Sequence, residues 1–300
     1  MMLSAEVMER YRKAGEIAAK VREEMKRTVR EGMPIIDVCE RAESLIKSLG
    51  GKPAFPCNVS INHVAAHYTS PPGDEGKIPE NSVVKIDIGV HVDGYIADTA
   101  VTVCFNPNHE RLVEVSEAAL KMAIKIIRPG LPISRFGFEV QRFIERRGFK
   151  PISNLTGHQI DRYLIHAGKT LPNVSHMSIS KIKLGEVYAI EPFVTYPEAA
   201  GKVKETSEAF IFRLVKRKAP KGIDSRRLLR FIEKNFRTLP FAERWLRNYG
   251  SRDDYEPAFS ELVSGRYIMS YPVFVEASGG IVAQSEHTIV VEKDGASLLT

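Results

Sequence analysis

Cysteine, tryptophan and long apolar runs are all scarce in this chain. Three cysteines in 300 residues (Cys39, Cys57 and Cys104) lie far apart, with neither zinc-ribbon nor redox-pair spacing. That excludes a disulfide framework and leaves buried or half-buried thiols in a reducing compartment. No run approaches the roughly 18 apolar residues of a membrane-spanning helix. The N-terminal segment MMLSAEVMERYRKAGEIAAK mixes acids and bases at helical spacing and lacks the apolar core of a signal peptide. A cytoplasmic location without membrane association is the expectation. A large excess of either sign of charge is also missing. A net charge of +6 and a pI near 9.1 permit an acidic partner such as RNA without requiring one.

What the chain does have is 43% apolar and 27% charged residues, enough for one large core or two modest ones. Residues 5–29 place Val7, Met8, Tyr11, Ala14, Ile17, Ala18 and Val21 on one helical face, and Gly32 and Pro34 end that helix. A second helix spans about 37–49 and stops at Gly50-Gly51. Then follow an extended Pro53/Pro56 stretch, a loop-rich segment holding His63 and His67, and residues 82–104, SVVKIDIGVHVDGYIADTAVTVC.

This last segment reads as two strands joined at Asp93-Gly94, a strong hairpin signal. A two-residue loop there sets Asp87 opposite Ala100 and Asp98 opposite Gly89. The apolar rows then share one face, and both aspartates lie on the other. A slip of one residue would separate the aspartates and bury charge. Carboxylates on the inner face of a hydrophobic hairpin need compensation, and a metal ion is the usual source.

The second half repeats the plan. Helices at 111–127 and up to 147 are followed by a proline. The pairs Gly32/Gly130, Pro34/Pro132, Gly50/Gly148 and Pro53/Pro151 share an offset of 98, and Ile78/Ile182, Val83/Val187, Ile86/Ile190 and Asp87/Glu191 share one of 104. An internal duplication follows, with Asp87 and Glu191 as equivalents. The expected fold is α+β, with two pseudo-twofold helix-helix-sheet units around a curved antiparallel sheet. The catalytic unit would comprise 1–198 and 269–300, in halves of about 1–108 and 109–198 plus 269–300. Residues 199–268 would form a mainly helical insertion, with helices at 225–236, around 241–248 and at 257–262. Residues 279–292 read as a single strand with Gln284, Glu286 and Thr288 on one face.

Asp87, Asp98, Glu191 and Glu286 then sit on or beside core strands, with Lys85 as the nearest basic group. Buried carboxylates are rarely left unpaired. Two divalent cations would cancel four negative charges, and His158, beside Gly157, could add a neutral imidazole.

In the contexts KIDIG, IADT, TGHQI, AIEPF and SEHTI, these five residues resemble the ligand set of the methionine aminopeptidases and their pita-bread-fold relatives. The AAHYT segment and the 95 positions between Glu191 and Glu286 resemble the type 2, archaeal-style branch. The resemblance implies a dinuclear-metal enzyme that removes the N-terminal methionine of nascent proteins when the second residue is small, through a metal-bridging hydroxide. Asp98 and Glu286 would bridge the metals, Asp87 would complete one ion, and His158 with Glu191 the other. Cobalt, manganese, iron and zinc all suit such ligands. Glu191 would move the proton, His67 and His166 would contact substrate, and Phe55 and Tyr271 would line the methionine pocket. Ser285 departs from the aromatic residue usual in relatives, which should change packing more than ligation.

A monomer acting on nascent N-termini, with transient ribosome contact, is the implied setting. The alternatives are a proline-specific aminopeptidase or dipeptidase of the same fold and a non-catalytic RNA- or ribosome-binding relative. The first usually has an extra N-terminal domain. The second is known to lose ligands that are intact here.

Overall fold

In the computed structural model, which describes residues 3–216 and 219–300, the chain opens with α1 (Ala5–Thr28) and α2 (Ile35–Ser48). Next come β1 (Lys52–Pro53), β2 (Asn58–Ile61), β3 (Val64–Ala66) and the hairpin of β4 (Val83–Val92) and β5 (Tyr95–Cys104). The Ser4 side chain caps α1 by accepting from the Val7 N–H. The helix then buries Ala14, Ile17, Ala18, Val21 and Met25 against Val84, Ile86, Ile88 and Val90 of β4. Hydrophobic burial on this face fixes the hairpin register. Asp87 faces Ala100 and Gly89 faces Asp98, as the Asp-Gly turn predicts. Asp93 (φ 50°) and Gly94 (φ 89°) both occupy the left-handed region required by that turn. A Cβ at Gly94 would lie 2.3 Å from the Tyr163 ring, so only glycine fits.

The second half runs α3 (Glu110–Ile126), α4 (Ile133–Glu145), β6 (Lys150–Pro151), β7 (Thr156–Ile160), β8 (Thr170–Pro172), β9 (Val187–Ile190) and β10 (Phe193–Thr195). It copies the first half down to single hydrogen bonds. Gly32 donates to the Ile78 carbonyl and Gly130 to the Ile182 carbonyl, each at 2.8 Å. Pro53 pairs with Val90 as Pro151 pairs with Val194. The offsets of 98 and 104 read from the sequence therefore hold on both sides of each contact.

The chain continues with β11 (Val203–Leu214), α5 (Ile223–Phe236), β12 (Phe241–Ala242), a 3-10 turn (Glu243–Asn248), α6 (Arg252–Ser264) and β13 (Ile268–Glu276). It returns through β14 (Val282–Gln284), β15 (His287–Glu292) and β16 (Gly295–Leu298). Phe212, Leu228, Leu229, Ile232, Phe241, Leu246 and Phe259 form a separate apolar cluster beneath α5 and α6. Among the described residues no helix is long and apolar enough to cross a membrane. Cys39 and Cys57 are buried free thiols, and Cys104 is half-buried.

Several local expectations need correction. The stretch after Pro56 is not all loop, because β2 pairs with β4 and β3 with β13. Helix α6 begins at Arg252 rather than 257, because Ser251 and Asp254 form a reciprocal capping box that outweighs Pro257. The 241–248 segment is a short strand and a 3-10 turn, not an α-helix. The long antiparallel ribbon of β11 and β13 was not foreseen; much of β11 is polar and exposed. Residues 279–292 form two strands, since the chain breaks at Ser285-Glu286 and crosses from the β10 sheet to the β9 sheet. The matching break between β9 and β10 falls at Glu191-Pro192, where proline has no N–H for a ladder.

The segment beyond β11 is anchored to the first half by a buried ion pair between Arg244 and Glu43. Arg244 also donates to the Thr69 hydroxyl at 2.7 Å and the Ser70 carbonyl at 3.0 Å, and the Trp245 indole donates to Glu43 at 2.7 Å. Removing one partner strands the other charge. Arg244→Leu is expected to cost about 3–5 kcal/mol, measured by denaturant unfolding, and Glu43→Gln/Arg244→Leu should recover part of that loss. A cost below about 1 kcal/mol would mean the pair is solvated.

Candidate metal centre

The nine metal- and substrate-site candidates from the sequence line one cavity of about 320 Å³: Phe55, His67, Asp87, Asp98, His158, His166, Glu191, Tyr271 and Glu286. Asp87 comes from the middle of β4 and Asp98 from β5. Glu191 and Glu286 occupy the two strand breaks, where the backbone turns their side chains inward. His158 lies on β7 opposite Ala189, at the register position held in the first half by Ser60 opposite Lys85. A Cβ at Gly157 would stand 2.5 Å from the Ala189 carbonyl oxygen, so glycine lets β7 close onto β9 and brings the imidazole into the acids.

The two half-sheets are joined across this site by hydroxyls and backbone. Ala100 and Glu286 exchange N–H···O bonds, at 3.3 Å from Ala100 and 3.1 Å from Glu286. Thr99 donates to the Glu286 carbonyl at 2.8 Å, Thr102 to the Gln284 carbonyl at 2.6 Å and Thr288 to the Asp98 carbonyl at 2.7 Å. These residues hold the carboxylates in place without neutralising them.

His158 Nε2 lies 3.4 Å from Glu191 Oε1 and 3.5 Å from Asp98 Oδ2. Ligating atoms of Asp98, His158 and Glu286 all fall within 4.8 Å of one another. Asp98, His158 and Glu286 are buried, while Asp87 and Glu191 keep slight exposure through the cavity. Burial first, and neighbouring carboxylates second, push Asp98, Glu191 and Glu286 well above the usual carboxylate range. Burial raises Asp87 to about 7. His158 is driven well below its usual value by burial, then by His166, and is a neutral imidazole.

The residues present fit divalent metal ions. Asp87 Oδ1, Asp98 Oδ1 and His158 Nδ1 are buried and have no hydrogen-bond partner. The Gln284 side-chain amide lies 3.3 Å from Glu286 and 3.5 Å from Glu191. Lys85, the one basic group expected nearby, does not pair with them. Its ammonium is buried and donates to the Asn62 and Val282 carbonyls, each at 2.9 Å, and burial lowers it to about 7.

His67 and Tyr271 face the same space, their rings 5.5 Å apart, and His166 stands at the exposed mouth, 4.4 Å from the His158 ring. The Pro272 carbonyl accepts from His67 Nδ1 at 3.2 Å, which assigns the proton to Nδ1 and leaves Nε2 as an acceptor. Burial holds His67 near 4, and its backbone lies in the left-handed region at φ 67°. A non-glycine residue there stores strain of the kind found at functional sites. Ser285 packs as the sequence suggests, sharing a 2.7 Å hydroxyl bond with Ser116 away from the carboxylates. Asn58 and Phe274 also line the cavity and were missed from sequence, Asn58 because it lay in a stretch read as loop.

The model of metallopeptidase family M24 matches residues 9–293. A curated methionine aminopeptidase of Methanothermobacter thermautotrophicus is 40% identical over 98% of this chain and 99% of its own length. Among solved structures, a thermophilic Arx1 superposes with a TM-score of 0.84 at 20% identity, covering 99% of this chain and 91% of that one. A methionine aminopeptidase from Thermotoga maritima superposes at 0.72 with 22% identity, covering 100% and 98%. These likenesses share the duplicated fold.

In the metal-free state the raised carboxyls bind protons more tightly folded than unfolded. Their contribution to stability is present below the unfolded carboxylate range near pH 4, and is lost as pH rises through about 7, the value for Asp87. Chelated protein should therefore lose Tm between about pH 5 and pH 8, and manganese should restore it most at the higher pH. A Tm that ignores both pH and metal would count against this centre.

Proposed function

From a chain that belongs to metallopeptidase family M24, we propose an aminopeptidase that removes the N-terminal methionine of proteins, with the cluster of four carboxylates and one imidazole as its metal centre. The observation that carries this reading is the convergence of Asp87, Asp98, His158, Glu191 and Glu286 on one cavity, with Asp87 Oδ1 and Asp98 Oδ1 unpartnered. Asp98, on β5, and Glu286, at the break between β14 and β15, would be shared by the ions. Asp87 would help to hold one of them, and His158 with Glu191 the other. Cobalt, manganese, iron and zinc are all admitted by these donors. When bound, two such ions supply Lewis acidity, lowering the pKa of water and polarising the scissile carbonyl.

The chain's own residues do the rest. Glu191 takes the proton from the attacking water and delivers it to the leaving amine. His67, with its Nδ1 proton held by Pro272, presents Nε2 as an acceptor for the scissile amide N–H. His166, at the mouth, is placed to support the carbonyl oxygen as charge develops. Phe55 and Tyr271 bound the side-chain pocket. Confinement of the centre in a small cavity fits action on a chain terminus. Small second residues, the type 2 branch, the 199–268 insertion as a separate subdomain, a cytoplasmic monomer and a passing ribosome contact complete the proposal. The AAHYT segment and the long Glu191-to-Glu286 excursion support the branch.

Metal-loaded protein should release free methionine from Met-Ala-Ser and leave Ala-Pro-Phe intact. The reverse pattern would favour a proline-specific peptidase, and inactivity on both a binding role. Glu191→Gln should abolish turnover, and near-wild-type activity in that variant would sink its assignment. His166→Ala should lower kcat by roughly 10²–10³ while metal content, read by elemental analysis, stays at the wild-type level.

A further inference from the structure

One polar atom in the cavity has no place in the metal-ligand set. Asn58, in β2, is 4% exposed, and its Oδ1 is buried without a hydrogen-bond partner. The orientation of the amide is settled by its other end. Nδ2 lies 3.3 Å from the Pro56 carbonyl, which can only accept, so the NH₂ faces Pro56 and the unpartnered end of this cavity-lining side chain is the oxygen. Directly across the strand pair is Asp87, whose Oδ1 is also unpartnered. Register partners in the two strands thus each carry an unpartnered acceptor oxygen, and among the described residues no donor reaches either.

A molecule bound in the cavity that Asn58 lines can supply the donor. An N-terminal methionyl residue has few. Its side chain has none, and the scissile amide N–H is taken by His67 Nε2. Only the free α-amine is left.

We propose that Asn58 Oδ1 accepts a hydrogen bond from the substrate's α-amine, making Asn58 a contact that selects for an unblocked N-terminus. The proposal rests on the aminopeptidase reading and adds a residue to it. It accounts for a buried carboxamide oxygen without a partner opposite Asp87, an unfavourable arrangement that a ligand rich in N–H groups relieves.

The test compares manganese-loaded wild type with Asn58→Ala and the near-isosteric Asn58→Leu, which keeps the volume should the alanine variant not fold. Three quantities are measured: kcat/KM for Met-Ala-Ser, the inhibition constant of the same tripeptide with 4-(methylthio)butanoyl in place of methionine, and manganese affinity by calorimetry. The expected result is a loss of roughly ten- to hundredfold in kcat/KM, carried mainly by KM, with the other two unchanged. Equal weakening of substrate and amine-free analogue would overturn the proposal, since Asn58 would then act through pocket shape. So would unchanged turnover, or a fall in manganese affinity, which would make Asn58 a metal ligand. Wild-type protein that fails to cleave Met-Ala-Ser defeats the underlying reading itself, an outcome separate from any difference between wild type and the Asn58 variants.

Discussion

Repulsion among four carboxylates, held in a cavity from which water is largely excluded, is the constraint on which this molecule depends. At interior dielectric, neighbouring charges of one sign interact far more strongly than in water. Among the described residues no lysine or arginine pairs with them. Lys85 sits on the same strand as Asp87 but spends its ammonium on two carbonyls. Gln284 offers two long amide contacts. A scaffold that brings these acids together must be rigid without their help, and it must gain stability from whatever neutralises them.

The duplication provides that rigidity. Two copies of a helix-helix-sheet unit each bury their own apolar face, one on α1 and α2, the other on α3 and α4. Neither core needs the acids. The halves then meet along a seam of threonine hydroxyls and the reciprocal bonds between Ala100 and Glu286. Asp87 and Glu191 occupy equivalent positions in the two copies. Asp98 and Glu286 do not: Asp98 faces Gly89, whereas Phe193, the counterpart of Gly89, faces Gln284. One half therefore contributes its second acid from mid-strand and the other from a strand break. The symmetry of the scaffold is close while that of the ligand set is not, which leaves room on one side for His158, where the first half has only Ser60.

How much of this was legible in the sequence follows from the range of the forces involved. Short-range chemistry was readable. Asp93-Gly94 dictated the turn, the turn dictated the register, and alternation dictated the faces; all three hold in the β4–β5 pair. The constant offsets gave the pseudo-twofold, because each match reflected a local demand on a glycine or proline. What escaped was set by contacts distant in sequence. The β11–β13 ribbon has an exposed, charged outer face, so its periodicity was weak. Asn58 looked like loop because the strand it joins, β4, supplies the partner. The interruption at Ser285-Glu286 was invisible because its cause is the facing break at Pro192. The five candidate ligands were found because burying so many acids has few physical explanations, whereas a lone asparagine has many.

The β11–β13 region ties positioning of the site to the first half of the chain. Beyond β11 it is joined to that half through Arg244 and Glu43, while β13 pairs with β3 and carries Tyr271 and Phe274 into the cavity wall. His67 directly follows β3, and its imidazole is oriented by the Pro272 carbonyl of β13. The His67 imidazole is thus held by the same strand that lines the cavity with Tyr271 and Phe274. Movement of the ribbon would change the cavity wall and the histidine together. The left-handed backbone at His67 sits where β3 and β13 meet, and it sets the ring beside Tyr271 and Phe274.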